Sequence, residues 1–428
     1  MGIGVLQVPE DTNCRAVKNT CLYSRSGIES TMNCPSIPPQ KLGCNIKDAT
    51  ATTRNTGQTC AARPIVHFDG ESKRQPSHGS KESNMKKVKL TIPSNIEHTA
   101  QIITGFLMLR EQGWNVEIEN RSRDKSVPFH GLPALFAQYR GKTLFYDVWD
   151  GYQDPPDMLL AIKQCDFYFK RSFSRGKNQE FFGADASRVY PLGFNYHVTH
   201  PNNPVGEPMW KAVLRPLQGK TPARYFTPKI FEGNGNAPCG DPPKILFLAR
   251  LWGREAWLEG DPANDEREAI SHTRIEIIRA LRETYGSSFI GGINDCPLSR
   301  ELAPDLIVPK ELTERRRYLD AVHSSDICIG STGLHQSIGW KTGEYVAAAK
   351  AIVHEELRYS VPGDFREGVN YLSFRTAQEC VDAVAELVRS PDRIQAMKRA
   401  NADYYQQYLR PDVLVKNTLS IVDQALDG

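Results

Sequence analysis

From residue 85 onward the sequence repeats one pattern twice, and that repetition constrains the fold more than any other feature. A short apolar run is followed by a longer stretch with apolar residues at helical spacing, then by another short run. In the first round Val88–Ile92 reads as a strand. Thr99–Gln112 reads as a helix, with Ile102, Ile103, Phe106, Leu107 and Leu109 on one face and Gly113 as its stop. Trp114–Ile118, Lys142–Val148, Phe167–Phe169 and Val189–Pro191 read as further strands, with a helix over Asp157–Lys163. The stretch Pro201–Pro243 has little periodicity and many Pro, Gly and Asn residues, which marks a junction. The second round starts at Lys244–Ala249 and continues through helix Arg267–Tyr285, strand Ser287–Ile290, helix Thr313–Ser324 and strand Ile327–Ile329. Helix Ser337–Ala349, strand Ala351–His354 and helices from Ala377 complete it. Two such arrays predict two doubly wound parallel-sheet α/β domains, with ligands at the carboxyl ends of the strands and a site between the domains.

Residues 1–84 read differently. They are rich in Thr, Asn, Ser, Pro and Gly, show no sustained period, and end in the polar run Gly70–Asn84, so the expectation is a disordered or misassigned leader, with Met85 resembling a natural start. The formal net charge of +3 over 428 residues gives no polyanion-binding footprint, so no nucleic-acid partner is expected. The cluster Arg315-Arg316-Arg317 lies in a helical stretch and reads as a solvated face. No window approaches the ~20 apolar residues of a membrane span, and the first 20 residues lack a signal-peptide apolar region. A cytoplasmic protein is expected, with peripheral membrane contact left open. The ten cysteines include no C-x-x-C pair and no His at ligand spacing, which points away from zinc and from a disulfide framework.

Chemistry concentrates in Gly330–Glu355. A buried strand is followed by a Gly-containing loop with Gly333, His335 and Gln336, then by a helix carrying Lys341 and Glu344. Backbone N–H groups at such a helix start suit a phosphate, to which Lys341 would add charge, and a carboxylate such as Glu344 can accept both hydroxyls of a ribose. A Gly-rich loop before a helix is equally ordinary α/β architecture. Arg250 closes the strand that opens the second array, and Arg254 follows it; a surface ion pair is the alternative for such an arginine. Trp252 or Trp257 could cover a base or simply pack. In the first array Asn95, Glu97 and His98 follow strand Val88–Ile92, where they serve a site or a helix N-terminus. Asp147 and Asp150 lie at the strand end in Leu144–Asp150; one could act as a base, or both could cap turns.

Taken together these segments resemble the GT-B glycosyltransferases, in particular the group 1 family with its E-x7-E motif. Glu344–Val353 has the form of the family's second glutamate, small-residue helix and following strand, with Lys350-Ala351 where the family has Gly and Pro. Gln336 stands where the family has its first glutamate; it can hydrogen-bond a sugar hydroxyl but carries no negative charge. Lys244–Leu251 is similar to the strand opening the family's second domain, and Glu255 stands where the family has a lysine. Ser94–His98 is similar to the glycine loop of the first domain, and Leu144–Asp150 to a strand ending in His-Asp, with Trp149 for His. Cys165–Ser172 and Val189–Asn195 are similar to further landmarks in the right order, and Tyr404–Leu426 to the C-terminal helices that cross back.

The resemblance implies a GT-B fold, two Rossmann-like domains facing each other across a cleft. The expected divisions are an acceptor-side domain over 85–215, a nucleotide-sugar-binding domain over 216–403 and a returning helix over 404–428. It further implies sugar transfer from a nucleotide-activated donor to an unidentified acceptor, without metal and without a cofactor beyond the nucleotide-sugar substrate. The residues it implies for catalysis are His98, Asp150 and Gln336. For donor binding they are Asn95, Glu97, Arg250, Arg254, Gly333, His335, Lys341 and Glu344. A non-catalytic nucleotide-sugar or glycan binder and a nucleotide-sugar epimerase are the rival readings; retention or inversion stays open.

Overall fold

The computed structural model describes residues 86–152, 155–205, Leu214 and 226–428. The expectations for the leader, for Met85 and for the Trp257 side chain, together with much of the Pro201–Pro243 junction, lie outside the described residues.

The first sheet is built from β1 (Lys87–Ile92), β2 (Asn115–Asn120), β3 (Ala134–Tyr139), β4 (Lys142–Asp147), β5 (Phe167–Lys170) and β6 (Val189–Pro191), in the order β2-β1-β3-β4-β5-β6. Helix α1 (Ala100–Glu111) joins β1 to β2, α2 (Pro155–Gln164) joins β4 to β5, and α3 (Arg175–Phe182) precedes β6. The expectation of a wholly parallel sheet is corrected here: β3 runs antiparallel to both β1 and β4. It enters the sheet through a tight hairpin whose two turn residues, Arg140 and Gly141, have φ of 50° and 75°. Positive φ at both positions matches the right-handed twist of the flanking strands.

The second sheet is parallel throughout. It comprises β7 (Ile245–Ala249), β8 (Phe289–Ile293), β9 (Ile327–Gly330), β10 (Ala351–Glu355) and β11 (Leu372–Phe374), in the order β11-β10-β9-β7-β8. Its helices are α4 (Pro262–Tyr285), α5 (Arg315–Ser324), α6 (Trp340–Ala347), α7 (Ala377–Val388) and α8 (Pro391–Tyr404). Every residue of β9 is buried, as expected of a strand covered on both faces. The chain winds from β7 to β8 on one side and to β9 on the other, so the order reverses between β7 and β9. In an open α/β sheet the crevice at that reversal, beyond the carboxyl ends, is where ligands bind.

The chain then returns to the first sheet. After a π-helical turn at Tyr405–Leu409, Arg410 leaves helical geometry and Pro411 starts α9 (Pro411–Asp427). α9 lies so close to α1 that a Cβ on Gly105 would stand 2.2 Å from the Pro411 carbonyl oxygen. Tyr146 and Thr418 hydroxyls meet at 2.8 Å, and Gln112 donates to Asp412 at 2.7 Å. The two halves also touch directly. Gly343 of α6 lies against the segment after β6, where an added Cβ would be 3.1 Å from Tyr196 Cβ.

Candidate active site

At the β7/β9 reversal two loops leave the sheet, one through Arg250 and one through Ser331–Gly339. Arg274 of α4, buried beneath them, holds both. Its Nη1 donates to the Arg250 carbonyl at 2.6 Å, Nη2 to the Thr332 carbonyl at 2.9 Å, and Nε to Ser331 Oγ at 3.0 Å. Burial pushes its guanidinium down to about 10, which leaves it charged at neutral pH. From the other side Glu355, at the end of β10, accepts from the Thr332 amide at 2.7 Å and its hydroxyl at 2.9 Å. The loop is therefore rigidly placed before any ligand arrives.

Below the loop, α6 presents Lys341 and Glu344. The Lys341 ammonium donates to the carbonyl of Leu248, inside β7, and lies 5.2 Å from the centre of the Tyr318 ring. Burial, reinforced by the charge of Arg274, pushes it down to about 7. Glu344 is 1% exposed. One carboxylate oxygen accepts from Arg315 Nη2 at 2.6 Å; Oε2 is buried without a well-aligned hydrogen bond, and the Tyr318 hydroxyl, with Tyr345 behind it, lies against Glu344 as a weakly aligned donor. A buried carboxylate oxygen without a well-aligned donor costs free energy, and a ligand hydroxyl would satisfy it.

Opposite these groups stands the first half of the chain. Trp340, the first residue of α6, meets the His98 ring edge-on at a centroid distance of 4.6 Å and the His197 ring at 5.6 Å. Burial lowers His98 below its usual 6.5; Asp150 pulls the other way, and Arg171 adds to the lowering. His98 is thus neutral at pH 7, the state that accepts a proton. Asp150 is held by the Arg171 guanidinium, whose other nitrogen donates to the Ile338 carbonyl at 2.7 Å, so a single arginine ties the first half to the loop after β9. Asp147 has a different fate. It forms a fully buried pair with Lys170 at 2.6 Å and also accepts from Tyr168 Oη at 2.7 Å and the Trp149 amide at 2.9 Å.

The structure gathers His98, Asp150, Lys341 and Glu344 around the two-sheet junction. Arg250 lies exposed at the same reversal, its guanidinium 4.1 Å from the centre of the Trp252 ring, and Arg267 lies 5.1 Å from the same ring. Two guanidiniums therefore lie against the Trp252 ring. Asn95 and Glu97 are exposed on the loop after β1, Glu97 lying 3.7 Å from His197. Gly333 donates its amide to the Ser337 carbonyl at 2.8 Å, closing a turn whose tip is His335 and Gln336. The Gln336 side chain is exposed, and the His335 carbonyl accepts from Tyr359 Oη at 2.9 Å. Arg254 faces away, bonded to Asp265 at 3.1 Å and Glu268 at 2.8 Å along α4, the surface ion pair that is the ordinary lot of such a residue.

Reading the sequence as a solvated arginine cluster is corrected at one position. Arg316 and Arg317 are exposed, but Arg315 turns inward to Glu344. Arg274, Arg171, Trp340, His197 and Glu266 were also missed. Arg274 and Arg171 carried one available signal, a charged residue on an otherwise apolar face or at a buried strand end.

Among the described residues no helix is long and apolar enough to cross a membrane, and no group of three or more His, Cys, Asp or Glu side chains is placed to hold a metal. A cavity of about 860 Å³ lies elsewhere, beside the β3–β4 turn and the start of β1, between Lys86, Lys89, Arg140 and Asp423. It has neither the loops nor the unsatisfied groups of the junction, which we therefore take as the site.

No family model matches the sequence, and no curated protein matches it. Solved structures give partial likenesses. The C-terminal domain of a group 1 family glycosyl transferase from Francisella tularensis superposes with a TM-score of 0.30 at 12% identity, over 42% of this chain and 96% of that one. HepE from Anabaena, solved with UDP and glucose, gives 0.38 at 10% identity, over 78% and 98%. A putative UDP-N-acetylglucosamine 2-epimerase from Listeria monocytogenes gives 0.34 at 11% identity, over 64% of each chain. The two α/β sheets described above stand on their own strand orders.

Proposed function

We propose that the protein is a glycosyltransferase that moves a sugar from a nucleotide-activated donor to an acceptor hydroxyl. One observation carries the reading: the Glu344 carboxylate, buried beside Lys341, Arg315 and Tyr318 at the β7/β9 reversal, with Oε2 outside any well-aligned hydrogen bond. A ribose hydroxyl would satisfy that oxygen, and a diphosphate beside it would meet Lys341 and Arg250. The part of the chain over 216–403 would hold the donor, 85–215 the acceptor, and 404–428 would brace the first against the second.

In the transfer, the acceptor oxygen forms a bond to the anomeric carbon as the bond from that carbon to the diphosphate oxygen breaks. The acceptor proton passes to the neutral imidazole of His98, with Asp150 nearby to stabilise the imidazolium. The negative charge that develops on the departing diphosphate falls on Lys341, which the Leu248 carbonyl holds, and on Arg250, whose backbone Arg274 fixes. Gln336, uncharged, would orient a sugar hydroxyl. The step needs no metal and no cofactor.

The test is a thermal-shift panel on the full chain with UDP, GDP, ADP, dTDP and CMP, run beside Glu344→Ala. A nucleotide at one hundred times its dissociation constant stabilises the folded state by about 2.7 kcal/mol. One nucleotide should stabilise the protein and lose its effect in the variant. No response from any nucleotide in a folded protein would remove the reading. A binder without transfer is the second reading, favoured by the absence of a charged side chain at Gln336; it predicts nucleotide binding without donor turnover.

A further inference from the structure

At the tip of the loop after β9 two consecutive residues, His335 and Gln336, have φ of 59° and 57°. Neither is glycine, and left-handed geometry at a side-chain-bearing residue costs on the order of 1 kcal/mol or more. The geometry turns both backbone amides to the same side, a concavity of the kind that binds anions. An anion is already there. Glu266 of α4 accepts from the His335 amide through Oε2 at 2.9 Å and from the Gln336 amide through Oε1 at 2.9 Å. The loop cannot relax away from this arrangement, since Tyr359 holds the His335 carbonyl and Arg274 holds the Thr332 carbonyl. Tyr359 in turn lies 6.3 Å, centre to centre, from the Tyr152 ring of the first half, so the loop tip is joined to that half through it.

We propose that the His335–Gln336 amides are a binding site for the distal phosphate of a nucleoside diphosphate, and that Glu266 fills this site until the phosphate displaces it. The proposal rests on the nucleotide-sugar reading of the same junction and adds to it the part of the ligand that is recognised and the group it evicts. Displacement is favoured on two counts. A diphosphate oxygen carries more charge than a carboxylate oxygen onto the same pair of donors, and Glu266 cannot remain beside it without like-charge repulsion. Glu266 also has somewhere to go: it is partly exposed in the second turn of α4, so its carboxylate can turn to solvent. Competition of this kind lowers apparent affinity by the fraction of molecules in which the site is open.

The experiment measures binding by calorimetry to the full chain and to Glu266→Gln and Glu266→Ala. The probes are UDP, GDP, ADP and inorganic pyrophosphate, each nucleotide paired with its monophosphate, which lacks the distal phosphate. Both variants should bind pyrophosphate and the preferred diphosphate about tenfold more tightly, and the matched monophosphate within about twofold of wild type. Unchanged or weaker diphosphate binding in both variants, with the diphosphate still binding the wild type, would overturn the proposal and leave the nucleotide-sugar reading standing. Equal gains for mono- and diphosphate would also overturn it, because Glu266 would then be acting as a general repulsive charge. If no probe binds the wild type or either variant, the nucleotide-sugar reading falls and this proposal falls with it.

Discussion

Replacing Lys170 by methionine should be among the most damaging single changes in the first half of the chain. Lys170 and Asp147 are both 0% exposed and 2.6 Å apart. Lys170 also donates to the Gly151 carbonyl at 3.0 Å and lies 4.4 Å from the centre of the Tyr152 ring. Methionine fills most of the lysine's volume but strands the Asp147 charge, to which, among the described residues, Tyr168 Oη and the Trp149 amide still donate. Breaking one side of a buried pair costs about 3–5 kcal/mol. With a urea dependence of about 2–3 kcal/mol/M the unfolding midpoint should fall by about 1–2.5 M. Asp147→Asn alone removes the negative charge that faces the buried Lys170 ammonium and should also destabilise the protein. The double variant Asp147→Asn/Lys170→Met leaves no lone charge and should be less destabilised than either single change, a coupling only a cycle of variants can reveal. Urea titration followed by tryptophan fluorescence measures all three. A double variant that loses the sum of the two single losses would refute the reasoning, because the pair would then contribute nothing as a pair.

Gly105→Ala should destabilise the protein and loosen α9, since its Cβ would stand 2.2 Å from a backbone oxygen that cannot step aside; faster protease cleavage within residues 405–427 would show it, and a wild-type cleavage rate would count against it. The histidines His98, His197 and His354 are all lowered by burial, so the unfolded chain binds more protons than the folded one below its own value of 6.5. Their contribution to stability is complete above pH 6.5 and is lost as pH falls through their folded values, so the midpoint of urea unfolding should decline across that window and more shallowly in His354→Gln. Lys341, near 7 in the free protein, should gain a proton when a diphosphate settles beside it; calorimetry in buffers of different ionisation heat should find proton uptake above pH 7, absent in Lys341→Met. If His98 takes the acceptor proton, the acid limb of kcat/KM should lie below 6.5, and a limb above 7 would exclude it.

The alternation of apolar runs was enough to read most strands of both sheets and most helices, because the inner strands β7, β9 and β10 are buried almost throughout and bounded by turn residues, while the three-residue edge strand β11 went unread. It was not enough for β3. Ala134–Tyr139 is set off from β4 by only Arg140 and Gly141, and the direction of a strand is decided by its neighbours rather than by its own residues. The site divided in the same way. Lys341 and Glu344 were visible because they share one helix with a Gly-containing loop before it. Arg274 and Arg315 were not, because each finds its partners across 24 to 58 residues of intervening chain. A guanidinium that binds Ser331, Thr332 and Arg250 has the same letter in the sequence as Arg254, which merely pairs with Asp265 on the surface.

The return of α9 to α1 has a consequence for the order in which this protein can be made. Gln112 and Asp412, which meet in the finished structure, are 300 residues apart. At about 5–20 residues per second the ribosome needs roughly 15–60 s to travel that distance. Throughout that interval the face of α1 that will receive Pro411 and Val415 has emerged without its cover. The first sheet can form early, but its outer layer is completed only by α9, which is made 300 residues after the part of α1 that it covers. A newly made molecule therefore has to keep that face from other chains, and any signal that halts synthesis before α9 would release a protein whose second sheet is whole and whose first is unfinished.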